Sequence, residues 1–160
     1  AAAKTKNKPI ITLRVFTPYG PLIQRGKLIE QIIVNALEGK VIKLTKPTIA
    51  RDFIFIDDLV NLFIETAGSA GRFRGEIFNA GSGIKTTIKE LSDYVRSATG
   101  SSSDIVWNEK AAVSYDLDSW QADMTKTFSS FTWRPQYTLA DGINKTIDFY
   151  RNFKGNLIEE

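Results

Sequence analysis

The sequence predicts an α/β fold, and three observations carry that prediction. Short β-branched, apolar runs alternate along the chain with segments whose apolar residues recur at helical spacing. Glycine and proline punctuate the joins between them. The 160 residues, 42% apolar and 24% charged, have the composition of a globular domain with a buried core. No internal repeat or long linker divides them.

The elements follow in order. Residues 1–7 read as a helix stub: Ala-Ala-Ala-Lys favours helix and the following Lys-Asn-Lys-Pro stops it. Such a start suggests further sequence upstream; a tag remnant or frayed terminus is the alternative. Residues 10–16 (IITLRVF) form a buried strand and residues 17–26 a loop rich in Pro and Gly. Residues 27–38 form an amphipathic helix with Leu28, Ile32 and Ala36 beside Ile29, Ile33 and Leu37, and Gly39 caps it. Residues 41–44 form a short strand.

Residues 52–56 (DFIFI) are apolar in consecutive positions, which suits a strand covered on both faces. Asp57 and Asp58 then place negative charge where a helix N-terminus favours it. That helix runs to about Ala67, with Leu59 and Phe63 beside Val60, Ile64 and Ala67 as its buried rows. A loop over 68–75 leads to a strand over 76–79 and the turn Gly81-Ser82-Gly83. Thr87-x-x-Glu90 is a capping box that opens a helix with Ile88, Leu91, Val95 and Ala98 on its apolar face. Residues 100–104 are polar, and 104–107 form a strand. Residues 111–121 show no period and read as a loop; 123–131 form a short helix. The last helix starts at Thr138, aligns Leu139, Ile143, Ile147 and Tyr150, and ends at Gly155.

Composition excludes several chemistries. Cysteine is absent, so no disulfide framework or thiolate chemistry exists, which suits a reducing cytoplasm. Histidine is absent too, which rules out a Ser-His-Asp triad and His/Cys zinc sites, and no metal site is expected. Acid–base work falls to Asp, Glu, Lys or Tyr, or to residues outside this chain. No apolar run approaches the roughly 20 residues that cross a bilayer, and no signal-peptide pattern opens the chain. A cytoplasmic location without a membrane partner is therefore expected. The 21 basic residues, set against 18 acidic ones, are scattered rather than clustered. That argues against nucleic acid and suits a small anionic ligand or an ordinary solvated surface.

Three patterns imitate catalytic or cofactor motifs. Gly81-x-Gly83 stands between a strand and a helix, but Thr86 replaces the third glycine of a dinucleotide fingerprint. No acidic residue follows where a ribose partner belongs. Gly68-x-x-Gly71-x-x-x-Gly75 follows a helix rather than a strand and reads as a flexible loop. Tyr150-x-x-x-Lys154 has the spacing that places both side chains on one helical face. It lies at the end of the last helix, however, and Tyr150 completes that helix's apolar row.

An ordered set of segments carries a stronger signal. Leu13-Arg14-Val15-Phe16-Thr17-Pro18-Tyr19-Gly20-Pro21 resembles the LR-x-F-x-x-YGP segment of extended short-chain dehydrogenases. Gly26-Lys27-Leu28-Ile29, with a helix ending Ala36-Leu37-Glu38-Gly39, resembles the next helix of that family. Arg51-Asp52-Phe53-Ile54-Phe55-Ile56-Asp57-Asp58 resembles its RDFI-x-V-DD block, and Phe78-Asn79-Ala80-Gly81-Ser82-Gly83 its YN-x-GSG turn. Ala122-Asp123-Met124-Thr125-Lys126 resembles ADxSK, and Trp133-Arg134-Pro135 resembles GW-x-P. The resemblance, from about residue 11 to 153, is to the NAD-dependent epimerase/dehydratase family that modifies nucleotide sugars.

The resemblance implies the C-terminal part of a Rossmann-like NAD(P)-binding fold plus the small substrate-binding domain. Residues 8–20 and 51–83 would supply late Rossmann elements, and 21–50 with 84–155 a discontinuous substrate domain. Family members carry G-x-x-G-x-x-G and a catalytic Tyr-x-x-x-Lys upstream of LR-x-F. No catalytic residue is therefore expected in this chain, and NAD or NADP would be bound mainly by preceding sequence. The implied partner is a nucleotide sugar; a homodimer of the complete protein would pack through helices of that preceding half.

Site roles follow residue by residue. The resemblance puts Arg51 on the nucleotide diphosphate, where a planar, permanently charged guanidinium forks onto phosphate oxygens. Pairing with Asp52 or Asp57 is the alternative. Thr17 stands where several members place a phosphate-contacting Asn, and its hydroxyl can donate one hydrogen bond. Phe16 and Pro18 would line the nicotinamide pocket, unless Phe16 is simply core. Lys27 and Leu28 match positions near the base and phosphates, with Lys27 beside a helix N-terminus that favours anions; a solvated Lys and a core Leu are the plain readings. Asn79 would bond the nucleotide or cap its own turn. Asp116, seven residues before Asp123, would bind the ribose, although Val113 replaces the arginine that often precedes it. Asp57 and Asp58 read as helix-capping rather than catalytic.

Overall fold

The computed structural model describes residues 8–108 and 118–152. The expected strand over 10–16 divides in two: β1 (Thr12–Val15) and β2 (Thr17–Tyr19). The break falls at Phe16 because the chain changes partner there. β1 runs parallel to β5 (Ile77–Ala80), and the Phe16 amide still reaches the Ala80 carbonyl at 3.0 Å. β2 then pairs in parallel with β4 (Ala50–Phe55), from Thr17 opposite Phe53 to Tyr19 opposite Phe55. The stretch expected to be loop thus begins as a strand; Pro18 is tolerated because β2 lies at the edge of its sheet.

α1 (Leu28–Leu37) buries Ile29, Ile32, Ile33 and Ala36, in line with the predicted period. Gly39, at φ 67°, takes the left-handed turn after it. β3 (Ile42–Lys43) lies parallel to β7 (Ile105–Val106). β6 (Lys85–Thr87), antiparallel to the start of β4, was not expected: its residues are polar or half-buried and leave no apolar signature. α3 (Ile88–Thr99) starts on the predicted Thr87–Glu90 capping box, and α4 (Thr125–Ser130) lies within the expected span. α5 (Leu139–Asn152) opens on a second box, in which Thr138 and Asp141 exchange hydrogen bonds. The N-terminal stub at 1–7 and the helix end at Gly155 lie outside the described residues. Among the described residues, no helix is long and apolar enough to cross a membrane.

β4 separates two cores. Its side chains alternate, as a strand's must. Phe53 and Phe55 enter one core with Tyr19, α1, α3 and α5; Ile54 enters the other with Leu59, Leu62, Phe78, Met124, Phe131 and Trp133. The consecutive apolar run of DFIFI is the mark of this two-sided burial. α2 (Ile56–Gly68) corrects the expected rows: it buries Leu59, Leu62 and Thr66, while Val60, Phe63 and Ile64 are exposed. Apolar residues surround most of this helix, so spacing alone offered two faces. Packing against β4 and the Phe131–Trp133 stretch selects the Leu62 side.

Close packing of α5 on β2 and β4 depends on Gly142. A Cβ there would meet the Tyr19 hydroxyl and lie 2.7 Å from a Phe55 ring carbon. Gly68, at the end of α2, has nothing within 4 Å of such a Cβ. Gly142→Ala is therefore expected to cost about 1–3 kcal/mol in denaturant unfolding. Gly68→Ala should be neutral or stabilise by up to about 1 kcal/mol. Equal effects would contradict the close approach.

Candidate functional site

Where the chain passes from β1 to β2, beside β4, it opens a cavity of about 550 Å³. Ligands of α/β sheets favour such points, where strand ends meet a change in strand order, and the volume suits a small-molecule pocket. Phe16, Thr17, Pro18, Lys27, Leu28 and Arg51 all line it, so six of the eight residues singled out from sequence come together. Ile23, Ile29, Thr45, Ile49, Phe53 and Ile88 complete the wall. Sequence reasoning missed these six. Ile29 and Ile88 fall on apolar helix faces, and nothing in their spacing separates a cavity wall from core.

β4 alternation explains how Arg51 arrives there. Arg51 and Phe53 point to the cavity side, while Asp52 and Ile54 point to the opposite face. The Arg51 guanidinium donates from Nη1 to the Ala50 carbonyl at 2.8 Å. Asp52, one of the expected alternative partners, is committed elsewhere. It is completely buried, and its carboxylate accepts from the Ser82 amide (2.7 Å), the Ser82 hydroxyl (2.7 Å), the Gly83 amide (2.9 Å) and the Ala122 amide (3.1 Å). Gly81 allows this: a Cβ there would stand 2.8 Å from a carboxylate oxygen of Asp52 and 2.7 Å from Ala122 Cβ. The glycine turn is thus a cradle for a carboxylate of the protein itself.

Lys27 is the N-cap of α1 and makes no side-chain cap bond. The first turn of α1 therefore presents its amide end beside an exposed Lys27 on the cavity wall, a favourable setting for an anion. Glu30 braces the approach by accepting from the Gly26 amide at 2.8 Å, and Gln31 donates to the Gly26 carbonyl at 2.6 Å.

Other expected residues lie elsewhere. Asn79 does not line the cavity; its amide donates to the Asp123 carbonyl at 2.8 Å and its own carbonyl accepts from Thr127. Asp116 lies outside the described residues. Asp58 corrects the helix-capping expectation: it sits in the first turn of α2 but accepts from the Gln136 and Tyr137 amides at 2.8 and 3.1 Å. The α2 N-cap is Phe55, with no side-chain bond. Trp133 adds a bond from its indole to the Asp58 carbonyl at 3.0 Å, which locks the Trp-Arg-Pro segment onto α2.

Tyr150 belongs to the core rim. Its hydroxyl donates to the Ile23 carbonyl at 3.4 Å. Burial, with Glu30 nearby, pushes its phenol up to about 12, the opposite of what a proton-transferring tyrosine needs. Lys154 lies outside the described residues. Tyr19 is likewise raised, first by burial and then by Asp58 and Asp141, and donates to the Leu139 carbonyl. Among the described residues, no cluster of His, Cys, Asp and Glu could hold a metal ion.

The fold is that of a Rossmann-type α/β protein, with a cavity whose wall includes Arg51 and Lys27. Residues 1–81, just over half of the chain, match the NAD dependent epimerase/dehydratase family, and the chain belongs to that family. It is 35% identical over 102 residues to the UDP-glucose 4-epimerase of Mycolicibacterium smegmatis, covering 64% of this chain and 31% of that protein. It is 30% identical to dTDP-glucose 4,6-dehydratase 1 of Escherichia coli, covering 92% of this chain and 42% of that one. The UDP-glucuronic acid 4-epimerase of Bacillus cereus, solved with UDP-glucuronic acid and NAD, superposes with a TM-score of 0.85 at 25% identity, over 92% of this chain and 47% of that one. The chain spans less than half the length of the curated relatives it matches.

Asp52→Ala is expected to destabilise the protein by about 3 kcal/mol or more, because it strands three amides and a hydroxyl at once. Urea unfolding measures this, and a loss below about 1 kcal/mol would contradict the role given to the carboxylate.

Proposed function

We propose that this chain supplies the sugar-nucleotide-binding part of an NAD(P)-dependent epimerase, dehydratase or reductase acting on nucleotide sugars. The observation that carries the reading is the cavity that gathers Thr17, Lys27, Leu28 and Arg51 beside Phe16 and Pro18. In this reading Arg51 and Lys27 hold the diphosphate, with the amide end of α1 adding partial positive charge. Thr17 donates one hydrogen bond to it, and Leu28 packs near the base. Asn79 and Asp116 are proposed contacts to the nucleotide. For Asn79 this requires that its amide leave the Asp123 carbonyl.

The division of labour with the cofactor follows from the glycine turn. Its Ser82 and Gly83 amides serve Asp52, so this turn does not fit a dinucleotide pyrophosphate. Phe16 and Pro18 fit as an apolar wall for the nicotinamide. NAD or NADP, when bound, supplies hydride-transfer chemistry. We assign the G-x-x-G-x-x-G cradle and the catalytic Tyr-x-x-x-Lys to sequence preceding residue 1. Residues 8–20 with 51–83 then complete the cofactor domain, and 21–50 with 84–155 form the substrate domain. A complete protein of this kind would be a cytoplasmic homodimer.

Two outcomes are expected. Coding sequence upstream of residue 1 should encode about 150 further residues, one Rossmann domain's length, with both motifs; their absence would leave a binding or regulatory module instead of an enzyme. In calorimetric titration of the complete protein with a nucleoside diphosphate, Arg51→Ala should weaken binding by about 1.5–3 kcal/mol. Unchanged affinity would remove Arg51 from the site.

A further inference from the structure

Two helices of this chain open on a capping box. In α3 it is Thr87-x-x-Glu90 and in α5 Thr138-x-x-Asp141, and each threonine exchanges hydrogen bonds with its acid. α1 opens with Lys27-x-x-Glu30, so the acid is kept and the threonine is replaced. A lysine side chain carries donors only and cannot accept from the first-turn amides. It is therefore a poor N-cap. α2 also lacks a capping side chain, but its N-cap Phe55 is buried in the core. Lys27 is exposed and lines the cavity.

Glu30 restores part of what the box loses. It is only 5% exposed, and its carboxylate accepts from the Gly26 amide at 2.8 Å, one residue before the N-cap. The loop that leads there, residues 20–26, belongs to no strand or helix. It consists of two tight turns, closed by the Ile23 amide on the Gly20 carbonyl at 3.3 Å and the Lys27 amide on the Gln24 carbonyl at 3.2 Å. Exposed Leu22 stands at φ 60°, a conformation that residues other than glycine rarely adopt. Side chains of α1 and α5 tie this loop down: Glu30 and Gln31 hold Gly26, and Tyr150 donates to the Ile23 carbonyl. Burial and then Glu30 raise the Tyr150 phenol to about 12, so it stays a donor across the ordinary pH range.

We infer that Glu30 is the positioning residue of Lys27: α1 exchanges a capping threonine for a cation, and the buried carboxylate holds that cation on the cavity wall. The inference rests on the cavity reading given above and deepens it. Glu30 does not line the cavity, so it acts through Lys27. By taking the Gly26 amide it fixes the backbone immediately before Lys27. A threonine at the N-cap would occupy a first-turn amide of α1. With Lys27 there, no side chain caps those amides, and both they and the ammonium are available to an anion.

The test uses the full-length protein with UDP, or dTDP where UDP does not bind, read by titration calorimetry. Lys27→Thr rebuilds the box; it should raise the urea midpoint and weaken the diphosphate about fivefold or more. Glu30→Gln keeps an acceptor for the Gly26 amide and Glu30→Ala does not, while both lose the charge. The difference between them therefore reads the Gly26 bond, and Glu30→Ala should bind roughly fivefold more weakly than Glu30→Gln. In a Lys27→Ala background that difference should shrink to within about twofold. A difference of the same size in that background means that Glu30 supports the fold alone, and overturns the inference. So does the absence of any difference with Lys27 present, or a Lys27→Thr protein that is no more stable or binds as tightly as before. Should Glu30→Ala fail to fold, Lys27→Thr decides alone. Binding that depends on Arg51 but fails these comparisons overturns this inference only. If no nucleoside diphosphate binds, or Arg51→Ala is silent, the cavity reading itself falls, and this inference with it.

Discussion

The buried carboxylate of Asp52 organises this molecule. Four neutral donors from Ser82, Gly83 and Ala122 converge on it, and they come from two segments distant in sequence. A buried carboxylate is tolerable only where its lone pairs are met in this way. The glycine turn after β5 and the start of the 122–133 stretch are thereby pinned to β4. Asp58 repeats the device six residues later, taking the Gln136 and Tyr137 amides. Together Asp52 and Asp58, two of the three acids of the RDFIFIDD block, tie the C-terminal third of the described chain to one strand and one helix.

The site follows from that constraint through strand geometry. Fixing Asp52 toward the turn fixes Arg51 and Phe53 toward the cavity, because neighbouring side chains on a strand take opposite faces. Arg51 then lines the cavity beside the switch from β1 to β2, with Lys27 and Leu28 at the start of α1 on the same wall. In the proposed reading, presenting positive charge from a strand and a helix terminus keeps the cost of ordering a ligand low.

Much of the fold was legible because local signals agreed with tertiary demands. The Thr87–Glu90 box, the periodicity of α1 and the two-sided run of β4 each had one physical interpretation. Where two interpretations were possible, packing decided. α2 carried apolar residues on two sides, and only the Leu59–Leu62 side met a partner among the described residues. β6 had no apolar pattern at all, since a short polar strand is held by its ladder bonds to Ala50–Asp52 rather than by burial. Six of the residues that line the cavity were legible because segment resemblance fixed their order, whereas Thr45 and Ile49 were not, because a cavity wall has no sequence period. The helix-capping role that position suggests for Asp57 and Asp58 shows the same limit. Their helix-terminal position was readable, but Asp58's use by a segment nearly eighty residues away was not.

The central claim is that β4 splits two roles between adjacent residues, Asp52 for the turn and Arg51 for a ligand diphosphate. A crystal structure of the complete protein with UDP-glucose or dTDP-glucose tests it most directly. The account predicts the diphosphate in the cavity between Arg51 and Lys27, with Ser82 and Gly83 still donating to Asp52. A diphosphate seated on the Gly81–Gly83 turn, with Asp52 displaced, would contradict it.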